Sequence, residues 1–374
     1  MRSFLEEIAG EILEHPQPEK VVMVLPNRRA MLYLQHFIAR KLTKPVFAPT
    51  LLTIEDFIAG FTSLKIPDRL ELIHTLYRSH REIMSGGKDS DAFEGEPFDK
   101  FYLWGDMLLR DFDEVDKYMI NAEHLFKDLS HQKELDATFD YLTEEQKKFL
   151  TGFWSGFEEN ISTNKKRFLD VWRGLPEVYV HFRKSLLMGG KAYQGMQHRT
   201  VAENIQDATR EKNMEDRHWK FAGFNALTAA EETIIGYFIR NFDARMYWDI
   251  DQYYLNDKTQ EAGEFFRKYQ DHPVFKKTFS SDIPSNFKNK PLIHVLGAAQ
   301  PVGQAKLMSE ILRQKLPSMN PEETVIVLPD EKLLTPVLYG IAGSVEHLNV
   351  TMGFPLSNTP LFNLVELLAD LQLS

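Results

Sequence analysis

The pattern of apolar and polar positions opens with Phe4, Leu5, Ile8, Ile12 and Leu13 at helical spacing, which predicts an amphipathic helix over residues 3–14. The run Val21-Val22-Met23-Val24-Leu25 is apolar without alternation, the signature of a strand buried on both faces. It ends at Pro26-Asn27-Arg28-Arg29 and gives way to helical spacing over residues 30–42, so the segment reads as a βα unit of a parallel sheet. A short extended stretch, residues 47–53, then leads into Ile54-Glu55-Asp56-Phe57, with Thr53 placed to cap the next helix.

From about residue 67 to residue 203 helical periodicity dominates and strand-like runs vanish. Polar breaks fall at Ser85-Gly86-Gly87 and at residues 160–164, and Thr143-Glu144-Glu145-Gln146 has the form of a capping box. This stretch reads as an all-helical subdomain inserted in an α/β domain. Strand-like runs return at residues 219–224, 245–249, 292–296, 324–328 and 348–351. Helical patterns at 229–241, 260–270, 303–315 and 336–342 separate most of them. Such alternation predicts an α/β fold with a mainly parallel sheet and right-handed crossovers. The last apolar helical pattern, residues 361–373, has no capping glycine and reads as a cut within a longer protein. No internal repeat or low-complexity tract interrupts the chain.

Composition narrows the function classes. The 374 residues are 43% apolar and 26% charged, as in ordinary globular proteins, and are numerous enough for two or three domains. The absence of cysteine excludes disulfides, thiolate catalysis and zinc–thiolate sites and points to a reducing compartment. The N-terminal segment lacks the basic and apolar regions of a signal peptide, and no run approaches the ~18 apolar residues of a membrane span. A cytoplasmic protein without a membrane partner is expected. At a formal net charge of −10, any contact with nucleic acid must be local or shared with a partner.

Candidate chemistry concentrates at strand-to-helix turns, where a strand's carboxyl end meets the N–H groups and positive dipole end of a helix. Pro26-Asn27-Arg28-Arg29 occupies such a turn and suits a phosphate, but without glycines it cannot wrap a triphosphate as GxxxxGK[ST] does. The competing reading is a solvated helix start with two surface arginines. Pro329-Asp330-Glu331-Lys332 superficially suggests a PD-(D/E)xK nuclease, yet its adjacent acids would point to opposite faces of a strand, and a helix start is expected. Asp111, Asp113, Glu114 and Asp116 lack EF-hand spacing and read as a solvated helix face. The 12 His are scattered without an HExxH, and no GxSxG occurs. Phe221-Ala222-Gly223-Phe224, followed by Thr228, Glu231 and Glu232, stands where a P-loop ATPase carries its magnesium-binding acid, with Ala222 in the acid's slot.

Taken in order, several strings resemble the AddB/RexB-like subunits of bacterial recombination helicase–nucleases, a branch known as PD-(D/E)XK nuclease family proteins. VVMVLPNRRAMLYLQHFIAR is similar to helicase motif Ia of that family, LLTIEDFI to the element after it, and LPEVYVHFRKSLLMGGKAYQGMQHRTVAE to the end of its helical 1B region. WKFAGFNALTAAEE resembles the Walker B strand, GAAQPVGQAKLMSEIL the segment after motif III, and TVIVLPDEKLL with LNVTMGFPLSNTPLFNLVELLADL the start of the second motor domain.

The resemblance implies a P-loop-NTPase-like motor 1A sheet with a 1B-like helical insertion. Residues 1–66 would begin the α/β domain, 67–205 form the insertion, 206–345 complete the domain and 346–374 start a second one. It also implies a non-motor scaffold for double-strand-break resection and recombination repair that binds single-stranded DNA and an AddA-like helicase subunit. Asn27, Arg28, Arg29 and Thr53 would contact DNA phosphates, and Thr351 and Gly353 would shape an interdomain turn. The P-loop is degenerate, because residues 11–20 contain no glycine. No cofactor is expected on this stretch; ATP and Mg²⁺ would belong to an active full-length complex, and the exonuclease domain would lie beyond residue 374. The alternatives are a divergent NTPase or exonuclease in its own right, and an α/β protein-interaction module without a DNA role.

Overall fold

The computed structural model describes residues 3–86, 97–122, 124–126, 161–210, 212, 214, 216–288, 292–315, 320, 324–341, 345 and 348–373. They fall in two compact units, Met1–Asn289 and Lys290–Ser374. In the first unit α1 (Phe4–Glu14), β1 (Val21–Leu25), α2 (Arg28–Lys41), β2 (Thr50–Thr53) and α3 (Ile54–Ala59) follow one another. Then come the helices α4 (Arg69–Met84), α5 (Phe98–Lys117), α6 (Ile161–Met188) and α7 (Gln194–Arg210). The unit closes with β3 (His218–Ala222), α8 (Ala229–Asn241), β4 (Arg245–Tyr247), α9 (Gln252–Asn256) and α10 (Glu264–Asp271).

The four strands form one parallel sheet in the order β2-β1-β3-β4, with Leu25 opposite Thr53 and Val24 opposite Phe221. Strand geometry sends alternate side chains to opposite faces, and β1 has an apolar residue for each. Val21, Met23 and Leu25 pack with Ile8 and Ile12 of α1 and Leu34 and Ile38 of α2. Val22 and Val24 pack on the other face with Phe57 of α3, Ile205 of α7 and Ile234 and Phe238 of α8. Helices thus cover both faces, as the unbroken apolar run of β1 requires. Around Phe57 the aromatic rings of Phe61, Trp219, Phe221 and Phe238 meet edge-to-face at 5.1–5.7 Å.

The described elements between α3 and β3 are all helical, and α4, α5, α6 and α7 share a second core built on Leu76, Phe101, Phe112, Val178, Phe182 and Met196. Residues 161–164, where the sequence suggested a polar break, open α6 instead. The capping box at Thr143 lies outside the described residues. A capping box that the sequence reading did not single out forms at α8: the Thr228 hydroxyl accepts from the Glu231 N–H, and the Glu231 carboxylate accepts from the Thr228 N–H.

In the second unit α11 (Pro301–Lys315) and α12 (Leu334–Ile341) meet through Ala305, Leu312, Val337 and Ile341. Gly340 permits that approach, since a Cβ there would collide with the Ser309 hydroxyl. The unit ends in α13 (Pro360–Leu373), on which Leu364, Leu367, Leu368 and Leu371 are exposed. The runs expected as strands at residues 292–296, 324–328 and 348–351 join no ladder among the described residues. Val295 is 91% exposed and Val327 78%. β-prone composition states a preference for a pleated, half-buried surface, and that preference is realised only where a neighbouring strand and a covering layer are present. No described helix is long and apolar enough to cross a membrane.

Candidate nucleic-acid interface

The strand order places β1 and β3 side by side while their successors, β2 and β4, lie on opposite sides of the pair. The carboxyl ends of β1 and β3 therefore border a topological switch point, the usual ligand crevice of an open α/β sheet. Three of the strand ends at this edge carry residues the sequence singled out: Pro26 to Arg29 after β1, Thr53 ending β2, and Ala222-Gly223 ending β3.

Asn27 is extended and caps α2, its Oδ1 accepting from the Ala30 N–H at 2.9 Å. With that helix start satisfied, Arg28 and Arg29 occupy the first turn, both exposed and without an ion pair to any described residue. The two guanidiniums stand at the positive end of a helix whose first turn holds no acid, an arrangement that attracts an anion. Thr53 lies one strand away but is only 4% exposed. Its hydroxyl accepts from the Asp56 N–H at 3.1 Å and donates to the Asp56 carboxylate at 2.9 Å, so it caps α3.

On the β3 side the crevice is lined by the chain's own apolar groups. Ala222 is fully buried, and the backbone turns out of the sheet at Gly223, whose φ of 79° is one that glycine alone adopts at little cost. A Cβ on Gly223 would meet Pro26 Cδ at 3.7 Å and Phe4 at 3.9 Å, so these side chains sit directly over the strand end. Glu231 is committed to the α8 capping box, and burial pushes its carboxyl above the usual range. Glu232 pairs with Lys268 at 2.5 Å. Beneath the turn, the Glu11 carboxylate accepts from Lys220 at 2.7 Å and from the Tyr247 hydroxyl. Burial disfavours that anion, but Lys220 and Tyr247 outweigh it and hold Glu11 below the usual carboxylate range. Thr351 and Gly353 belong to the second unit, outside any helix or strand and exposed.

One residue of the acidic group on α5 differs from its sequence reading, whereas Asp111 and Glu114 are exposed as expected. Asp116, taken with its neighbours for a solvated helix face, is fully buried. It accepts from the Tyr179 hydroxyl at 2.5 Å, from Arg183 at 2.7 Å, from Arg199 at 3.3 Å and from the Tyr193 hydroxyl. Burial, with the Asp116 charge beside it, pushes Tyr179 up to about 12 and Tyr193 well above its usual value. Asp113 accepts from the Gly195 N–H at 2.6 Å, again tying α5 to α7. The signal was available in the spacing, because Asp116 follows Phe112 by four residues and Phe101 by fifteen along the buried stripe of α5. By contrast, Asp330 behaves as a helix start should, its carboxylate accepting from the Lys332 N–H at 3.0 Å. Among the described residues no group of three or more acids and histidines could hold a metal ion.

The arrangement can bind an anion at the start of α2. No protein-family model matches this chain, and no curated protein is similar to it.

Proposed function

We propose that the chain is a non-motor, helicase-like scaffold that binds single-stranded DNA at the turn after β1 and serves within an AddB/RexB-like recombination helicase–nuclease beside an AddA-like helicase subunit. In this reading the parallel sheet corresponds to a P-loop-NTPase-like motor 1A fold that has lost its nucleotide site. Helices α4 to α7 correspond to a 1B-like insertion, and Thr351 and Gly353 to the turn opening a second motor-like domain. ATP, Mg²⁺ and exonuclease activity belong to the complete assembly.

The observation that carries the reading is the pair Arg28–Arg29, exposed at the helix start beside the switch point and unpaired with any described acid. The apolar plug of Phe4 and Pro26 over Gly223 supports a role in binding strand backbone over one in binding nucleotide. The net charge of −10 favours a protein-interaction module as the second reading.

Fluorescence anisotropy with a labelled oligo-dT, read across a salt series, tests the proposal. Arg28→Ala/Arg29→Ala should weaken binding about tenfold or more at low salt and flatten the salt dependence by about 1.4 in slope, since each single-strand phosphate contact contributes ~0.7. Equal affinity and slope for the double variant and the parent chain would remove Arg28 and Arg29 from the interface. Hydrolysis of ATP by the chain alone would favour the NTPase alternative.

A further inference from the structure

Helix α2 differs from the chain around it. Acids outnumber bases overall, 54 to 44, yet RRAMLYLQHFIARK contains four basic residues and no acid. Leu34 and Ile38 anchor it in the core, with Ala30, Met31 and Phe37 packed beside them. The residues turned the opposite way are Arg29, Leu32, Tyr33, His36 and Arg40, at spacings of three, four, seven and eleven from Arg29. All five are exposed, Leu32 by 61% and Tyr33 by 54%. Lys41, on the inward side, is the basic residue of the helix that finds an acid among the described residues, Glu6 at 3.5 Å. Tyr33 has no aromatic neighbour among the described residues, while the His36 ring lies edge-to-face with that of Phe37, their centroids 6.0 Å apart.

We infer that this outward face of α2 is a track for single-stranded nucleic acid, with phosphates on Arg29 and Arg40 and a base stacked on Tyr33. The inference rests on the reading given above and extends it from a single turn to the length of a helix. Arg29 and Arg40 lie ~16 Å apart along the axis at ~1.5 Å per residue, so one strand can reach both while passing the tyrosine. Charge complementarity selects a polyanion: three guanidiniums stand exposed on an acid-free helix in an acidic protein. The aromatic ring between them selects a strand with unpaired bases, because a stacking surface is of use only to a base whose face is open. A membrane surface fits poorly, since the broad apolar face of α2 lies in the core and only Leu32 and Tyr33 remain to enter lipid. An acidic peptide would engage the arginines and leave Tyr33 without a role.

The test uses the full chain and labelled oligo-dT, with a strand of the same length lacking bases, a duplex, polyglutamate and anionic vesicles as competitors. Tyr33→Ala is expected to weaken oligo-dT binding about tenfold with an unchanged salt slope and to leave binding of the abasic strand as it was. Tyr33→Trp should restore affinity. Arg40→Ala should weaken both strands and lower the slope by about 0.7. Since both side chains are exposed, thermal melts of the variants should superimpose on the parent. If Arg28→Ala/Arg29→Ala weakens binding while Tyr33→Ala and Arg40→Ala bind as the parent does, the track is overturned and the turn after β1 stands alone. If Arg29→Ala, Tyr33→Ala and Arg40→Ala each weaken binding while Arg28→Ala does not, the strand follows the outward face of α2, the track stands and Arg28 leaves the interface. Competition by polyglutamate or vesicles equal to that of oligo-dT, or absence of strand binding by the parent, overturns the track.

Discussion

His198 on α7 is 2% exposed, and neither of its ring nitrogens has a hydrogen-bond partner among the described residues. Burial, reinforced by Lys117 and opposed by Asp113, lowers its pKa to about 4, so the folded protein keeps this ring neutral. An unfolded histidine titrates near ~6.5. Between that value and about 4 the unfolded chain therefore binds a proton that the native state refuses, and stability present above pH ~6.5 is lost as the pH falls. The loss by pH 5 should be on the order of 2 kcal/mol from His198 alone. His80, lowered to about 4 by burial, acts in the same direction. Urea midpoints should hold steady between pH 8 and 7 and fall between 6.5 and 5, and His198→Leu should remove much of the fall. An unaltered pH profile in that variant would mean that His198 is hydrated in solution. Nothing in the sequence around residue 198 distinguished this histidine from the eleven others, because desolvation depends on residues distant in the chain. Arg28 and Arg29 were easier to place, since a helix start after a buried strand lies at the sheet edge, where charge remains in water.

Among the elements, α5, α6 and α7 are held together by more than apolar contact. Asp116 contributes one carboxylate to two guanidiniums and two phenols, and the arginines are themselves largely covered, with 19% and 17% of their side chains exposed. Removing one member of a buried ionic group leaves the others without compensation, at a cost of about 3–5 kcal/mol. Asp116→Ala should cost that much by chemical denaturation, whereas a loss below about 1 kcal/mol would show that water readily replaces the carboxylate. The helical periodicity of α5 is plain in the sequence, but Asp116 pulls two ways: its charge favours solvent, while its place four residues after Phe112 puts it on the buried stripe. The helices α1, α2, α8, α11 and α13 were legible because apolar spacing and capping residues are local properties. β1 was legible for a different reason, its unbroken apolar run having no other soluble use than burial on both faces.

For the molecule as a whole, the division at residues 289–290 separates units of unequal core. The first unit contains both large buried clusters and the sheet, while the second buries Ala305, Leu312, Val337 and Ile341 as its main cluster. Opening free energies follow the amount of buried apolar contact. Amides of β1 and β3 should accordingly exchange with deuterium at least about a hundredfold more slowly than those of α11 and α12. Equal protection in the two units would mean that they unfold as one.

The sequence by itself determined the βα unit of β1 and α2, the cap at Thr53, the helix start at Asp330, and the absence of a lysine loop between residues 11 and 20. These are properties of neighbouring residues, and local spacing reports them directly. Only the tertiary structure decided that β1 lies between β2 and β3, that Asp116 is an interior anion, and that the outward side of α2 is a continuous basic and aromatic face. It also decided that three β-prone runs in the second unit have no described strand to pair with. Each of those outcomes is set by which distant segments arrive to share hydrogen bonds and exclude water. A one-dimensional pattern carries the preference for such an encounter but not the partner.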